Sequence, residues 1–317
     1  MDTDAPVARP ATAPDPTLAI GLIVLITLVW GASWPAMKIS VSTFQPWTFR
    51  VLTTIVAGAV MLAMLRASGT SVLVARRRVP LLIACAVINT TLWMLCSAFA
   101  LELLPAGRSV IIAYTMPAWA TLASATFLGE RLMLGRIAGL ALGLAGLAVL
   151  MGEDLFDLAA APVGALLMLG GALAWALGTV MLKAVDWGVG PGVLSAWQLF
   201  IGGVPILIGA IAVDEGTVAS FGWHEGLAFA YVFVFGVLLG NWTWFKMISL
   251  LPASIASIVT IAIPVVGVGS SMVVLGEPLG WREFVALALV VGSLAAVLGL
   301  APGGLRPRPI GRRLPPR

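Results

Sequence analysis

The sequence predicts an all-α integral membrane protein: ten transmembrane helices in two inverted-topology repeats of five, with both termini cytoplasmic and a central cavity. Two observations carry that prediction. The first is an internal repeat. The stretch LLPAGRSVIIAYTMPAWATLASATFLGE at 103–130 returns 147 residues later as LLPASIASIVTIAIPVVGVGSSMVVLGE at 250–277. Leu-Leu-Pro-Ala opens both copies, a proline sits inside both (Pro117 and Pro264), and Leu-Gly-Glu closes both. Downstream, Leu140, Ala141 and Leu142 answer Leu287, Ala288 and Leu289; upstream, at an offset of 145, Trp30 and Lys38 answer Trp175 and Lys183. A unit written twice sets the architecture before any single residue does. The second observation is composition. With 60% hydrophobic and 10% charged residues, the chain has too little charge to cover a water-facing surface of this size, whereas lipid requires an apolar one.

Apolar stretches of spanning length fall at 18–39, 47–65, 80–101, 107–128, 136–151, 163–182, 193–213, 227–247, 254–275 and 281–300. Each is near the roughly 20 residues that cross a bilayer core as a helix. None alternates apolar and polar residues as a membrane barrel strand does. The first five form one repeat, 17–152, and the last five the second, 162–300. They are flanked by a Pro- and Ala-rich cytoplasmic lead, 1–16, expected to be disordered, and a basic cytoplasmic tail, 301–317. The lead lacks the basic start of a signal peptide, so the first span is expected to be retained.

Basic residues set the orientation. With the N-terminus inside, Arg9, Arg66, Arg76, Arg77, Arg78, Arg131, Arg136, Lys183, Lys246 and the tail arginines 306, 308, 312, 313 and 317 are cytoplasmic. Only Lys38, Arg50, Arg108 and Arg282 fall on the other side, a strong positive-inside bias. The acidic loop residues Glu153, Asp154, Asp157, Asp214, Glu215 and Glu225 then lie outside. Five spans per repeat is an odd number, so the second copy enters the membrane from the opposite side. Inverted repeats of this kind carry substrate near the midplane, at the interface of the halves.

Soluble-site chemistry lacks its parts. Cys85 and Cys96 lie on one segment, about 16 Å apart on a helix, beyond disulfide reach. The single histidine, His224, has no second His or Cys nearby to share a metal. No cofactor, metal or nucleic acid is implied, and the basic tail reads as a topogenic anchor. The expected partners are a small-molecule substrate and the lipid bilayer, with the chain acting as a monomer or a dimer. Gly139/Gly143 and Ala288/Gly292 are spaced for close helix approach in the outer scaffold.

The run Trp30-Gly-Ala-Ser-Trp-Pro-Ala-Met-Lys38, the pair Phe49-Arg50, the Leu-Pro-Ala/Pro/Leu-Gly-Glu frame and the duplicated ten-span layout resemble the EamA-type transporters of the drug/metabolite transporter superfamily. The resemblance covers about residues 18–300. It implies a basket-like bundle in which spans 1, 3, 4, 6, 8 and 9 line a cavity, spans 5 and 10 pack outside, and metabolites move by alternating access across an inner membrane. The tryptophan-rich spans are also similar to those of aromatic amino acid exporters of the YddG type. Small multidrug antiporters of the same superfamily rely on a glutamate in their first helix, and span 1 here has none. The expectation is therefore export of amino acids, aromatic or hydrophobic ones preferred, by an uncoupled facilitator. The alternative is a proton-coupled transporter of a drug, sugar or nucleotide precursor. A membrane-embedded enzyme is not expected, for want of an intramembrane nucleophile or carboxylate pair.

Candidate site residues follow from burial cost and spacing. Pro117 and Pro264 each remove a backbone hydrogen bond at corresponding points of the halves, and paired interruptions of this kind mark transport sites. They are the candidate gating or kink positions. Trp30, Trp34 and Met37 share a helical face, as do Asn89, Trp93 and Cys96; span 6 offers Trp175 and Thr179. Tyr231, Phe235 and Trp242 recur at helical spacing on span 8, and Tyr114 and Trp119 flank Pro117. Trp187, Trp223 and Trp281, at span ends, read as an interfacial belt. Asn89, Gln198 and Asn241 would leave unsatisfied donors in lipid and should face inward. Lys38 and Arg50 either snorkel to the headgroups or give the cavity a carboxylate-binding field. Glu130 and Glu277 are placed to complement the N-terminus of the helix that follows each. The substrate-binding set is thus Trp30, Trp34, Met37, Lys38, Asn89, Trp93, Tyr114, Trp119, Trp175, Thr179, Asn241 and Trp242.

Overall fold

A backbone surrounded by lipid must satisfy its own hydrogen bonds, and each apolar stretch does so as a helix. The computed structural model describes residues 16–129, 134–151, 163–213, 222–250 and 253–297, and the regular structure among them is entirely helical. The helices are α1 (Pro16–Thr43), α2 (Pro46–Ala67), α3 (Arg76–Leu103) and α4 (Ala106–Leu128), then α5 (Leu134–Met151), α6 (Val163–Lys183) and α7 (Pro191–Val213). The consecutive runs Trp223–Ala230, Tyr231–Leu239 and Gly240–Leu250 form α8, followed by α9 (Ala253–Leu275) and α10 (Trp281–Val297). Of these, α1, α2, α3, α4, α6, α7 and α8 are long and apolar enough to cross a membrane, while the apolar helices Leu134–Leu150 and Ile261–Leu275 are shorter. The Pro-rich lead before Pro16, the basic tail, Glu130 and the acidic residues 153, 154, 157, 214 and 215 lie outside the described residues.

The repeated Leu-Gly-Glu has a conformational cause. Gly129 and Gly276 take left-handed backbone angles, with φ of 65° and 67°, and stop α4 and α9 where a side chain would be strained.

The sequence repeat is also a packing repeat. α5 runs along α10 and α2 along α7, each pair joining repeat counterparts. α1 lies against α9 and α8, and correspondingly α6 lies against α4 and α3. Small residues bring α5 and α10 together as expected: the Ser293 hydroxyl donates to the Gly139 carbonyl. A Cβ on Gly143 would lie 3.1 Å from the Ser293 oxygen.

Three helices contain π turns: Leu52–Val56 in α2, Val87–Leu92 in α3 and Tyr231–Leu239 in α8. The last two coincide under the 147-residue offset. Such wide turns are rare and gather at functional sites.

Several expectations are corrected. The paired prolines act differently. At Tyr114–Thr115 α4 breaks into Ala106–Ala113 and Met116–Leu128, with Pro117 in the first turn of the second piece, whereas Pro264 sits inside the continuous α9. Glu277 does not serve the helix that follows it. Its carboxylate accepts from the Ala106 N–H at 2.6 Å and the Gly107 N–H at 2.8 Å, capping α4 of the other repeat. Trp187 is buried, and its indole donates to the Leu182 carbonyl at 2.9 Å. Its side chain faces the protein, whereas Trp223 and Trp281 are exposed.

Candidate functional site: a central aromatic cavity

The interior of the bundle holds a cavity of about 420 Å³, within the size range of small-molecule sites. α1 contributes Trp30, Ser33, Trp34 and Met37, and α3 contributes Asn89, Thr90, Trp93, Met94 and Ser97. The break in α4 presents Ala113, Tyr114, Met116 and Pro117; α6 adds Trp175, α8 adds Val232, Gly236, Val237, Asn241 and Trp244, and α9 adds Ile263. These are the helices the resemblance implies. Two more join them, α2 with Arg50 and α7 with Ser195, Gln198 and Leu199, while α5 and α10 contribute nothing to the lining.

The π turns place backbone and short side chains at the wall. Asn89 and Thr90 come from the π turn of α3, and Val232, Gly236 and Val237 from that of α8. Each is tied to a neighbouring helix. Asn89 Nδ2 donates to the Trp175 carbonyl at 2.9 Å, and Trp30 Nε1 donates to the Gly236 carbonyl at 3.0 Å. Both contacts need a close helix approach. A Cβ on Gly178 would lie 2.4 Å from the Asn89 Cβ, and one on Gly236 would lie 2.7 Å from the Ser33 hydroxyl.

The wall is mainly aromatic and thioether, with few polar groups. Trp30 and Trp244 pack ring against ring, with centroids 5.6 Å apart. Asn241 donates to the Val237 carbonyl at 2.7 Å and accepts from Ser195 at 3.4 Å. Gln198 is buried with its Oε1 lacking a partner. Arg50 is 4% exposed and donates to the Ser97 hydroxyl at 2.8 Å. No carboxylate stands among the lining residues.

Of the substrate-binding set and the two prolines, the cavity collects Trp30, Trp34, Met37, Asn89, Trp93, Tyr114, Trp175, Asn241 and Pro117. It leaves out five. Lys38 reaches away from the cavity to donate to the carbonyls of Leu101, Glu102 and Leu104, binding the C-terminal end of α3 to α1; it does not line the cavity. Thr179 stands behind the wall, donating to the Trp175 carbonyl at 2.8 Å and meeting Asn89 at 3.4 Å. Trp119 lines a separate apolar groove with Leu122, Phe127 and Leu173, its indole donating to Thr115. Pro264 is buried beside the lining residue Ile263 but is not itself at the wall.

Trp242 is the fifth, 53% exposed on the outside of α8. Trp244 takes the place at the wall that spacing had assigned to it. Tyr231 and Phe235, from which that spacing is counted, do not line the cavity either, and Phe235 is exposed like Trp242; the wall is made by Val237, Asn241 and Trp244 instead. Spacing groups residues by face but does not say which face packing turns to the cavity. Ser33, Thr90, Met94, Ser97, Ser195 and Leu199 carry no signal that would separate them from ordinary packing residues. Arg50 and Gln198 were legible as membrane-embedded polar groups but not as neighbours of one space.

The profile of the EamA-like transporter family matches residues 17–152 and again 162–299. Similar proteins include the uncharacterized transporter YvbV of Bacillus subtilis (strain 168), 29% identical over 276 residues, 87% of this chain and 90% of that one. The uncharacterized inner membrane transporter YedA of Escherichia coli (strain K12) is 26% identical over 281 residues, 87% and 89% of the two chains. The probable amino-acid metabolite efflux pump of Escherichia coli (strain K12) is 24% identical over 287 residues, 86% and 92%. A solved crystal structure superposes with a TM-score of 0.64 at 23% identity, covering 89% of this chain and 96% of that one, a likeness of fold.

Proposed function

Because the chain belongs to the EamA-like transporter family, and so is a multi-pass membrane transporter, we propose that it exports amino acids, those with apolar or aromatic side chains preferred. The observation that carries the reading is the cavity itself, which offers five tryptophans from four helices alongside a small number of buried polar groups. A wall of that composition desolvates an apolar side chain and fixes a polar head with few contacts. The name of one relative, a probable amino-acid metabolite efflux pump, supports the same substrate class.

The proposed architecture is ten spans in two inverted repeats with both termini cytoplasmic, exchanging access to the cavity as one repeat rocks against the other. Reciprocal packing of the halves and the matched π turns of α3 and α8 support it. Absence of a carboxylate from the cavity wall supports a facilitator driven by the substrate gradient. The transporting unit is proposed to be a monomer.

The test is flux into proteoliposomes holding the full-length protein. Labelled tryptophan, phenylalanine, threonine and a lipophilic cation are compared with and without a pH gradient. Saturable tryptophan and phenylalanine flux that ignores the gradient is expected. Gradient-dependent cation flux without amino acid flux overturns the reading.

A further inference from the structure

Two cations, the half-buried Lys38 and the buried Arg50, stand near each other in the sequence, and the structure treats them differently. Lys38 has its ammonium group surrounded by three backbone carbonyls at the end of a helix, where negative partial charge collects. It is a satisfied structural cation. Arg50 has no such shell. Its guanidinium holds five N–H donors, yet among the described residues only Ser97 offers it an oxygen, at 2.8 Å. Two further contacts reach the weak acceptor Met37 Sδ at 3.9 and 4.0 Å, and Nε has no partner among the described residues. The positive charge also lies over the Phe49 ring, 4.8 Å from its centroid. Among the described residues no carboxylate lies within ion-pair distance of it. Ser97 and Met37 both line the cavity, so the head group is held at the wall.

A buried charge without a counter-ion is strongly unfavourable. A chain that keeps one at the edge of a ligand-sized space leaves the counter-ion to the ligand. Gln198, on the same wall, presents the complementary deficit: it is 8% exposed, and its Oε1 is an acceptor without a donor.

We propose that Arg50 and Gln198 form the subsite that reads the charged head of the substrate. Arg50 binds a carboxylate, and the Gln198 side-chain oxygen accepts from an ammonium group. The ammonium half rests on the amino-acid reading above, whereas the carboxylate half rests on the cavity alone. Serving as a bidentate carboxylate fork is what guanidinium geometry does best.

The experiment uses the full-length protein in proteoliposomes and three probes sharing one side chain: phenylalanine, its carboxamide and 3-phenylpropionate. Loss of the carboxylate in the carboxamide is expected to lower uptake about tenfold or more, since a buried cation is left unpaired. Arg50→Gln is expected to abolish that discrimination and Arg50→Lys to keep part of it. Gln198→Leu is expected to erase the preference for phenylalanine over 3-phenylpropionate. Variants are scored only if they elute as monodisperse protein, and the three-probe comparison on the unsubstituted protein stands without them. Equal uptake of phenylalanine and its carboxamide overturns the subsite while leaving amino acid transport intact. Uptake of 3-phenylpropionate without phenylalanine overturns the ammonium half and the amino-acid reading, and upholds Arg50. If neither carboxylate is taken up, both proposals fall.

Discussion

The side-chain amide of Asn89 donates to the backbone carbonyl of Trp175 at 2.9 Å, joining α3 to α6 at the cavity wall. Its repeat counterpart is the bond from Trp30 Nε1 to the Gly236 carbonyl at 3.0 Å, joining α1 to α8. Gly236 follows Asn89 by 147 residues and Trp175 follows Trp30 by 145. The same junction is made twice, with the donor on opposite helices in the two halves. Where one half has a side-chain amide, the other has a bare glycine beside a reaching indole.

This junction has little room. Gly178→Ala would put a Cβ within 2.8 Å of the Asn89 Cα, backbone that cannot swing aside, and is expected to destabilise the protein by about 1–3 kcal/mol. Asn89→Leu removes the bond to the Trp175 carbonyl, which Thr179 also serves, and a long one to Thr179 itself, and is expected to cost about 1 kcal/mol. Thermal unfolding of the purified protein should therefore rank Gly178→Ala below Asn89→Leu. The reverse order would show that the glycine is not needed for the approach.

Gly236→Ala meets a single hydroxyl, Ser33 Oγ at 2.7 Å, with the Ser33 Cβ at 3.6 Å. Ser33→Ala removes that oxygen, so the double substitution should recover most of the melting temperature lost in Gly236→Ala alone. Additive losses in the double-mutant cycle would mean that the two positions do not touch.

Trp244 and Trp242 are two residues apart and face opposite surroundings. Trp244→Ala opens the wall against Trp30 and is expected to lower transport several-fold through KM. Trp242→Ala, on the exposed face, should leave KM unchanged. Equal effects on KM in a flux assay would contradict the placement of Trp244 at the wall and Trp242 outside it.

Lys38→Met should act on stability and leave substrate affinity alone. Its ammonium group ties α1 to the last carbonyls of α3, and losing charge-assisted hydrogen bonds of this kind costs about 1.5–3 kcal/mol. A lower melting temperature with an unchanged KM is expected. A raised KM in a protein of normal stability would return Lys38 to the cavity.

Glu277→Gln keeps the shape of the α4 cap but removes its charge, while Glu277→Ala removes both. Expected losses are a few tenths of a kcal/mol to about 1 kcal/mol for the first and about 1–2 kcal/mol for the second. Arg108→Ala, from a partly exposed ion pair with Glu283, should cost less than either, about 0–1 kcal/mol. Melting temperatures of the three variants check the order.

The sequence by itself determined the helices, the repeat and much of the cavity wall, because those signals are local. A run of apolar residues must close its own backbone hydrogen bonds in lipid. Trp30, Trp34 and Met37, like Asn89 and Trp93, reach one space because 3.6-residue spacing holds along an unbroken α-helix, or across only a few residues of a wider turn. The recurring Leu-Gly-Glu already held the two left-handed glycines that end α4 and α9.

Only the tertiary structure decided the rest, for two physical reasons. One is rotation: spacing suggests a face holding Tyr231, Phe235 and Trp242, but packing turns Val237, Asn241 and Trp244 of α8 to the wall. The other is distance along the chain. Lys38 finds its carbonyls more than sixty residues away, Glu277 caps a helix 171 residues before it, and Arg50 is left with Ser97 and Met37. No local spacing encodes which helix end comes to lie beside which side chain. That is settled when the two halves pack, and it is what separates a cation spent on the fold, Lys38, from one left facing the cavity, Arg50.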